Sequence, residues 1–240
     1  MKLGAKFDFD LMVIGGGSAG LTAAHLAAGA GRKVALVERD RIGGECLYSG
    51  CVPSKTLLHL ASEVWNARKA TRYGLKSEGL LDWSAVKARL NEVVARIAPQ
   101  DSPEVLEKAG VRVMAGEGRF VAPHTLEVKG RFYRARGFLL ATGARPHVPE
   151  ALESLPYHTH ETLFDLPELP QHLAIVGGGA VAVELAQAFV RLGSRVTVVA
   201  VGDRLVSRFE PEVSRLLRQT LEREGVEVRL QSEVDRKSVV

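Results

Sequence analysis

The hydrophobic positions fall into short apolar runs and longer stretches of helical spacing, punctuated by glycine. Phe9-Asp10-Leu11-Met12-Val13-Ile14 predicts a short buried strand. It runs into Gly15-Gly16-Gly17-Ser18-Ala19-Gly20. Residues 21–30 are alanine-rich and predict a helix, and residues 33–37 predict a second strand ending at Glu38. Strand, helix and strand in this order imply a parallel pair with a right-handed crossover. Residues 47–71 predict one long helix, with Pro53 near its start, where proline is tolerated. Residues 82–97 predict another, and Ser102-Pro103-Glu104 opens a third. After Gly110, residues 111–114, 118–121, 125–128 and 131–134 read as short strands of an antiparallel meander. Residues 137–143 read as a separate buried strand stopping at glycine.

Five prolines between Pro146 and Pro170 mark a boundary or an extended connection. A second β-α-β unit follows: strand 173–176, turn Gly177-Gly178-Gly179-Ala180-Val181-Ala182, helix 183–192 and strand 195–199. Helix 211–224 and strand 226–230 come next, and residues 235–240 fit neither pattern. A gapless shift of 162 residues lays Gly15 on Gly177, Gly17 on Gly179, Gly20 on Ala182 and Gly31 on Gly193. The expected fold is α/β, with two Rossmann-like βαβ dinucleotide-binding units and a small antiparallel meander. The expected division is a first domain at 1–150 and a second, incomplete one at 151–240.

Composition changes this picture little. The charge of +4 comes from scattered Lys and Arg, with no basic block interleaved with aromatics, so nucleic acid is not an expected partner. No apolar run reaches the roughly 18 residues of a membrane span. Residues 1–10 carry acids and no apolar core, so a signal peptide is not expected and the compartment is expected to be cytoplasmic.

The glycine turns carry the chemistry. Gly15 permits a tight bend, Gly17 lets backbone approach a pyrophosphate, and Gly20 lets helix and strand pack closely. The helix N-terminus that follows favours phosphate. Glu38 closes the second strand 23 residues after Gly15, where a carboxylate accepts hydrogen bonds from ribose hydroxyls. In the second turn Ala182 replaces the third glycine, and Ala200 stands where the first unit has Glu38. Arg204 and Arg208 follow. Losing the carboxylate removes repulsion of a 2′-phosphate, and an arginine can pair with one, so NADPH is preferred to NADH; the alternative is that both arginines are solvated.

Cys46 and Cys51 are the only cysteines. A reversible disulfide beside a helix start and Lys55 is the leading reading; a metal pair and two inert core thiols stay open. Metal ligation lacks further ligands at short spacing, and no metal site is assigned.

Gly43-Gly44-Glu45-Cys46-Leu47-Tyr48-Ser49-Gly50-Cys51-Val52-Pro53-Ser54-Lys55 resembles the active-site signature of the class I pyridine nucleotide-disulfide oxidoreductases. Glu45 stands where that family usually has threonine. Ala141-Thr142-Gly143 looks like the family's second FAD contact, and residues 177–184 like its NAD(P) turn. Within the family, residues 180–194 look most like the mercuric reductase branch, with dihydrolipoamide dehydrogenase or glutathione reductase as runners-up. The resemblance implies FAD along Gly15, Gly17, Ser18, Ala19, Gly20 and Glu38, with Gly118 near the adenine and Thr142 and Gly143 further along. It implies NADPH at Gly177, Gly179, Ala182 and Arg204. It makes Cys51 the flavin-proximal charge-transfer thiolate and Cys46 the interchange thiol, with Lys55 beside the flavin and paired to Glu184. The implied acceptor is a small molecule or a metal ion, and the full-length family member is expected to be a homodimer. The family's C-terminal dimerisation domain has no counterpart in these 240 residues, so the chain is expected to be about half of such an enzyme. A non-catalytic nucleotide-binding fragment is the competing reading.

Overall fold

The computed structural model describes residues 6–76 and 81–234. They form two compact units, Met1–Val52 with Val93–Arg145 and Pro53–Glu92 with Pro146–Val240. The tail at 235–240 lies outside the described residues.

In the first unit, β1 (Phe9–Ile14), β2 (Val34–Glu38), β3 (Val111–Ala115), β4 (Gly118–Ala122), β5 (Thr125–Val128) and β6 (Arg131–Leu140) make one sheet in the order β3-β2-β1-β6-β5-β4. β2 is apolar from Val34 to Val37 because both of its faces are covered there, as parallel strands require. Val34 and Leu36 join Val13, Leu21, Ala24 and Leu106 on one side. Ala35 and Val37 join Phe9, Met12 and Leu126 on the other. Helix α1 (Ser18–Gly29) is the crossover between β1 and β2. The short helix α2 (Gly44–Tyr48) follows β2, and α5 (Pro103–Lys108) starts behind the Ser102 cap, whose side chain accepts from the Val105 amide.

Two strand expectations change. β3 belongs to no meander: it pairs parallel to β2, Val34 opposite Val111. β6 is one ten-residue strand rather than two. Its first half pairs antiparallel with β5 and its second half parallel with β1, Leu11 opposite Gly137.

In the second unit, β7 (His172–Val176), β8 (Arg195–Val199) and β9 (Glu227–Arg229) form a parallel sheet in that order. Helix α6 (Ala180–Leu192) joins β7 to β8, and α7 (Pro211–Arg223) joins β8 to β9. The core is built on Phe189, Leu192, Val196, Val198 and Leu221. Helices α3 (Cys51–Lys69) and α4 (Trp83–Ile97) contribute Leu57, Ala61, Trp83, Val86 and Leu90 to it. Trp83 Nε1 donates to the Leu166 carbonyl at 2.9 Å, and the Trp83 and Phe189 rings lie 5.9 Å apart. Arg191 forks onto Glu224 at 2.7 Å through both Nε and Nη2 and reaches Ser62 Oγ at 3.0 Å. Arg68 donates to the carbonyls of Arg191 and Leu192 at the end of α6, at 2.8 and 3.2 Å. The compact units therefore do not follow a single cut near residue 150: residues 53–92 supply apolar side chains to the core around Phe189.

Candidate functional site: two glycine turns and a dithiol

In the first turn, the Gly15 amide donates to Val37 O at 2.8 Å, and Gly15 takes φ +108°. A Cβ there would collide with Ala141 O, and one on Gly20 would collide with Gly15 O. Both glycines thus answer to close backbone approach rather than to flexibility. Glu38 turns back onto the turn: its Oε2 accepts from the Gly16 amide at 2.5 Å and its Oε1 from Asp40 at 2.8 Å. One bond per oxygen leaves acceptor capacity for ribose hydroxyls. Gly17 is the N-cap of α1, with Ser18 and Ala19 exposed beside it. The Ala141 amide donates to Ile14 O at 2.8 Å, which places the exposed Thr142 and Gly143 next to the same turn.

Beside Glu38 lies a cleft of about 340 Å³ whose walls include Arg41, Tyr48, Val113 and Ala115. The Arg41 guanidinium stacks 3.8 Å over the Tyr48 ring. Gly118 is not part of that cleft; it opens β4 and packs under Leu126. Ala115, at the end of β3, does line the cleft; it was not among the expected residues, because an alanine carries no signal beyond its place at a strand end.

The dithiol segment is fastened to the first turn by backbone. The Gly43 amide donates to Gly16 O at 2.8 Å. A Cβ on Gly44 would stand 2.7 Å from the Gly17 Cα, so only glycine permits this approach. The expected single helix at 47–71 is broken: α2 ends at Tyr48, Ser49 and Gly50 intervene, and α3 starts at Cys51. A Cβ on Gly50 would be 3.0 Å from Glu45 O and 3.4 Å from the Cys46 Cα. The chain therefore doubles back on Glu45–Cys46 just before Cys51. Cys46 is half-buried, Cys51 is exposed, and both are thiols here.

The second turn repeats the first. The Gly177 amide donates to Val199 O at 2.8 Å, with φ +124°. Gly179 caps α6 with backbone angles of −78° and 179°, against −80° and −175° at Gly17. Ala200 stands where Glu38 stands: a Cβ on Gly178 would meet the Ala200 Cβ at 3.1 Å, as one on Gly16 would meet Glu38 Oε2 at 3.1 Å. Ala182 is buried and fits where the first unit needs glycine. Arg204 is half-buried and donates to Ser207 O at 2.9 Å, while Arg208 is exposed. Lys55 and Glu184 are both exposed, and no ion pair within 4 Å joins them, so the expected pair is not made.

Two βαβ nucleotide turns, a carboxylate at the end of the second strand and a cysteine pair docked on the first turn define a flavoprotein-type disulfide oxidoreductase fold. The chain belongs to the pyridine nucleotide-disulphide oxidoreductase family, whose profile matches residues 9–238. It is 36% identical over 222 residues to a mercuric reductase of Staphylococcus aureus, covering 91% of this chain and 41% of that protein. It is 37% identical over 228 residues to a dihydrolipoyl dehydrogenase of Thermus scotoductus, covering 92% and 48%. The HOCl-induced flavoprotein disulfide reductase of Escherichia coli, solved also as a Cu(II) complex, superposes with a TM-score of 0.80 at 30% identity, covering 94% of this chain and 50% of that one. The chain spans about half the length of these relatives.

Proposed function

We propose that this chain carries the FAD site, the NADPH site and the redox dithiol of a cytoplasmic disulfide reductase whose acceptor is a thiophilic metal ion. The observation that carries the reading is the docking of Gly43 and Gly44 on the first turn, which sets the two cysteines beside the place where backbone can approach a diphosphate. The groups fit. Gly17 and Gly179 have no Cβ to block a phosphate, and Glu38 keeps acceptor capacity for a ribose. In the second unit the buried Ala200 offers no carboxylate, which favours a coenzyme bearing a 2′-phosphate near Arg204.

FAD, when bound, passes two reducing equivalents from the pyridine nucleotide toward the sulfurs. The Cys46–Cys51 disulfide takes up two electrons and two protons, its S–S bond breaks, and two thiols result. Cys46, in the short helix, is the sulfur assigned to exchange with the acceptor, and Cys51 the one assigned to the flavin side. A metal-ion acceptor is placed first on the likeness to mercuric reductase; a dithiol or disulfide acceptor is the second reading, favoured by the lipoyl relative. A homodimer is the proposed assembly.

The test uses flavin fluorescence and thiol counting. FAD added to the chain is expected to be quenched, and Glu38→Ala is expected to weaken its binding about tenfold, the order for a charged hydrogen bond. The oxidised, FAD-loaded protein should gain two titratable thiols per NADPH oxidised. Wild-type affinity in Glu38→Ala, or no new thiols, would sink the reading. Comparing Hg(II), oxidised glutathione and lipoamide as oxidants of the reduced protein separates the acceptors.

A further inference from the structure

Both glycine turns share a feature that neither glycine spacing nor the strand-end acid explains. In each, the carbonyl of the middle glycine accepts a backbone hydrogen bond from a residue in the left-handed region, in the loop after the second strand of the unit. Gly43 N donates to Gly16 O at 2.8 Å, and Val206 N donates to Gly178 O at 2.6 Å. Gly43 has φ +109° and Val206 φ +42°. The 162-residue shift carries Gly16 onto Gly178 and Gly43 to the neighbour of Val206.

The conformation is costless for glycine but not for valine. A β-branched residue at positive φ is an outlier whose strain its surroundings must offset. The offsetting contacts are visible. Val206 is buried, as is Leu205, and the Leu205 carbonyl accepts from the buried Ser214 hydroxyl at 2.5 Å.

A trans peptide points its C=O and its N–H in opposite directions. Holding Gly178 O therefore aims the Gly179 N–H away from Val206, and holding Gly16 O aims the Gly17 N–H away from Gly43. These are the N-cap residues of α6 and α1, and their backbone angles agree within about ten degrees. Among the described residues neither amide donates to a protein acceptor.

We propose that Val206 and Gly43 are positioning residues that clamp the middle peptide of each turn, so that the Gly179 and Gly17 amides are presented to a coenzyme diphosphate before it arrives. The proposal rests on the nucleotide reading of the two turns. It assigns the strained valine a role in binding through Gly179, without contact to the coenzyme. A pre-aimed amide binds without the reorganisation a mobile glycine peptide would require.

The test replaces Val206 by its α-hydroxy acid, 2-hydroxyisovaleric acid, which keeps the side chain and removes the N–H. The companion variant Val206→Gly keeps the N–H and relieves the strained φ. NADP+ binding is read by calorimetry and by the amide resonance of Gly179, with the thermal midpoint as the check on folding. The ester chain is expected to bind NADP+ about tenfold more weakly, with a midpoint lower by only about 2–4 °C, the order for one lost backbone hydrogen bond. Val206→Gly is expected to stay within about threefold of wild type, as one retained hydrogen bond implies. Wild-type affinity in the ester chain overturns the clamp, as does equal weakening in both variants, which would assign the effect to packing of the side chain. If NADP+ leaves the Gly179 resonance of the wild-type chain unmoved, it is the nucleotide reading of the turn that fails.

Discussion

Gly20 and Ala182 occupy equivalent places, yet only one tolerates a methyl group. A Cβ on Gly20 would overlap Gly15 O, which is backbone held in the turn and cannot move aside. Gly20→Ala should therefore destabilise the first unit by about 1–3 kcal/mol, the usual cost of overpacking. Ala182→Gly should cost about 1 kcal/mol in helix propensity. Urea unfolding of both variants checks this; a Gly20→Ala chain as stable as wild type would show that the Gly15 carbonyl can move aside. The glycines and Glu38 were legible because their residue types are dictated by the contact each makes. Gly43 was legible only as part of a signature. Val206 was not legible, because nothing in a valine announces positive φ; only the buried surroundings that force it do. The Lys55–Glu184 pair was read from likeness alone; in this structure both side chains are exposed and no salt bridge within 4 Å joins them.

Hydrophobic patterning placed almost every helix and strand but not their partners. The run at 111–114 alternates like any half-buried strand, and nothing local says that it pairs with β2 rather than with β4. The stretch Ala135-Arg136-Gly137 looked like an interruption, yet Gly137 stays within β6 and pairs with Leu11. Residues 47–71 are helical on both sides of the break at Ser49–Gly50, so the break is visible only from what Gly50 packs against. At the start of α4, Asp82 Oδ1 accepts from the Ser84 amide and hydroxyl at 2.9 and 2.6 Å. The Ser84 side-chain bond, and then its backbone bond, hold the Asp82 carboxyl below the ordinary aspartate range. A carboxylate with a lowered folded-state pKa contributes stability that is fully present above its unfolded value of about 3.9 and is lost as pH falls through the folded value. Asp82→Ala should thus lower the thermal midpoint at pH 7, and the deficit relative to wild type should shrink in strong acid. A deficit that does not change with pH would show that the cap does not act through its charge.

At the scale of the whole chain, the buried side chains fall into separate sets. Phe9, Met12 and Val13 belong to the first unit and Phe189, Val198 and Leu221 to the second. If each unit carries its own coenzyme, each should be stabilised by its own. A ligand at a hundred times its dissociation constant adds about 2.7 kcal/mol to the state that binds it. FAD should protect amides of β1 and β2 from hydrogen exchange, and NADP+ those of β7 and β8. Equal protection of both sets by either ligand alone would contradict this. The existence of two nucleotide units could be read from the repeat, but their boundaries could not, because sequence order gives no hint that residues 53–92 pack around Phe189.

That excursion limits how the gene can be divided. Cleaving it after codon 145 would deliver a fragment whose Leu57, Ala61, Trp83 and Leu90 have been parted from the core that shelters them, and such a fragment should precipitate. Isolating the first unit by itself means joining residue 52 to residue 93, a cut that runs through both α3 and α4.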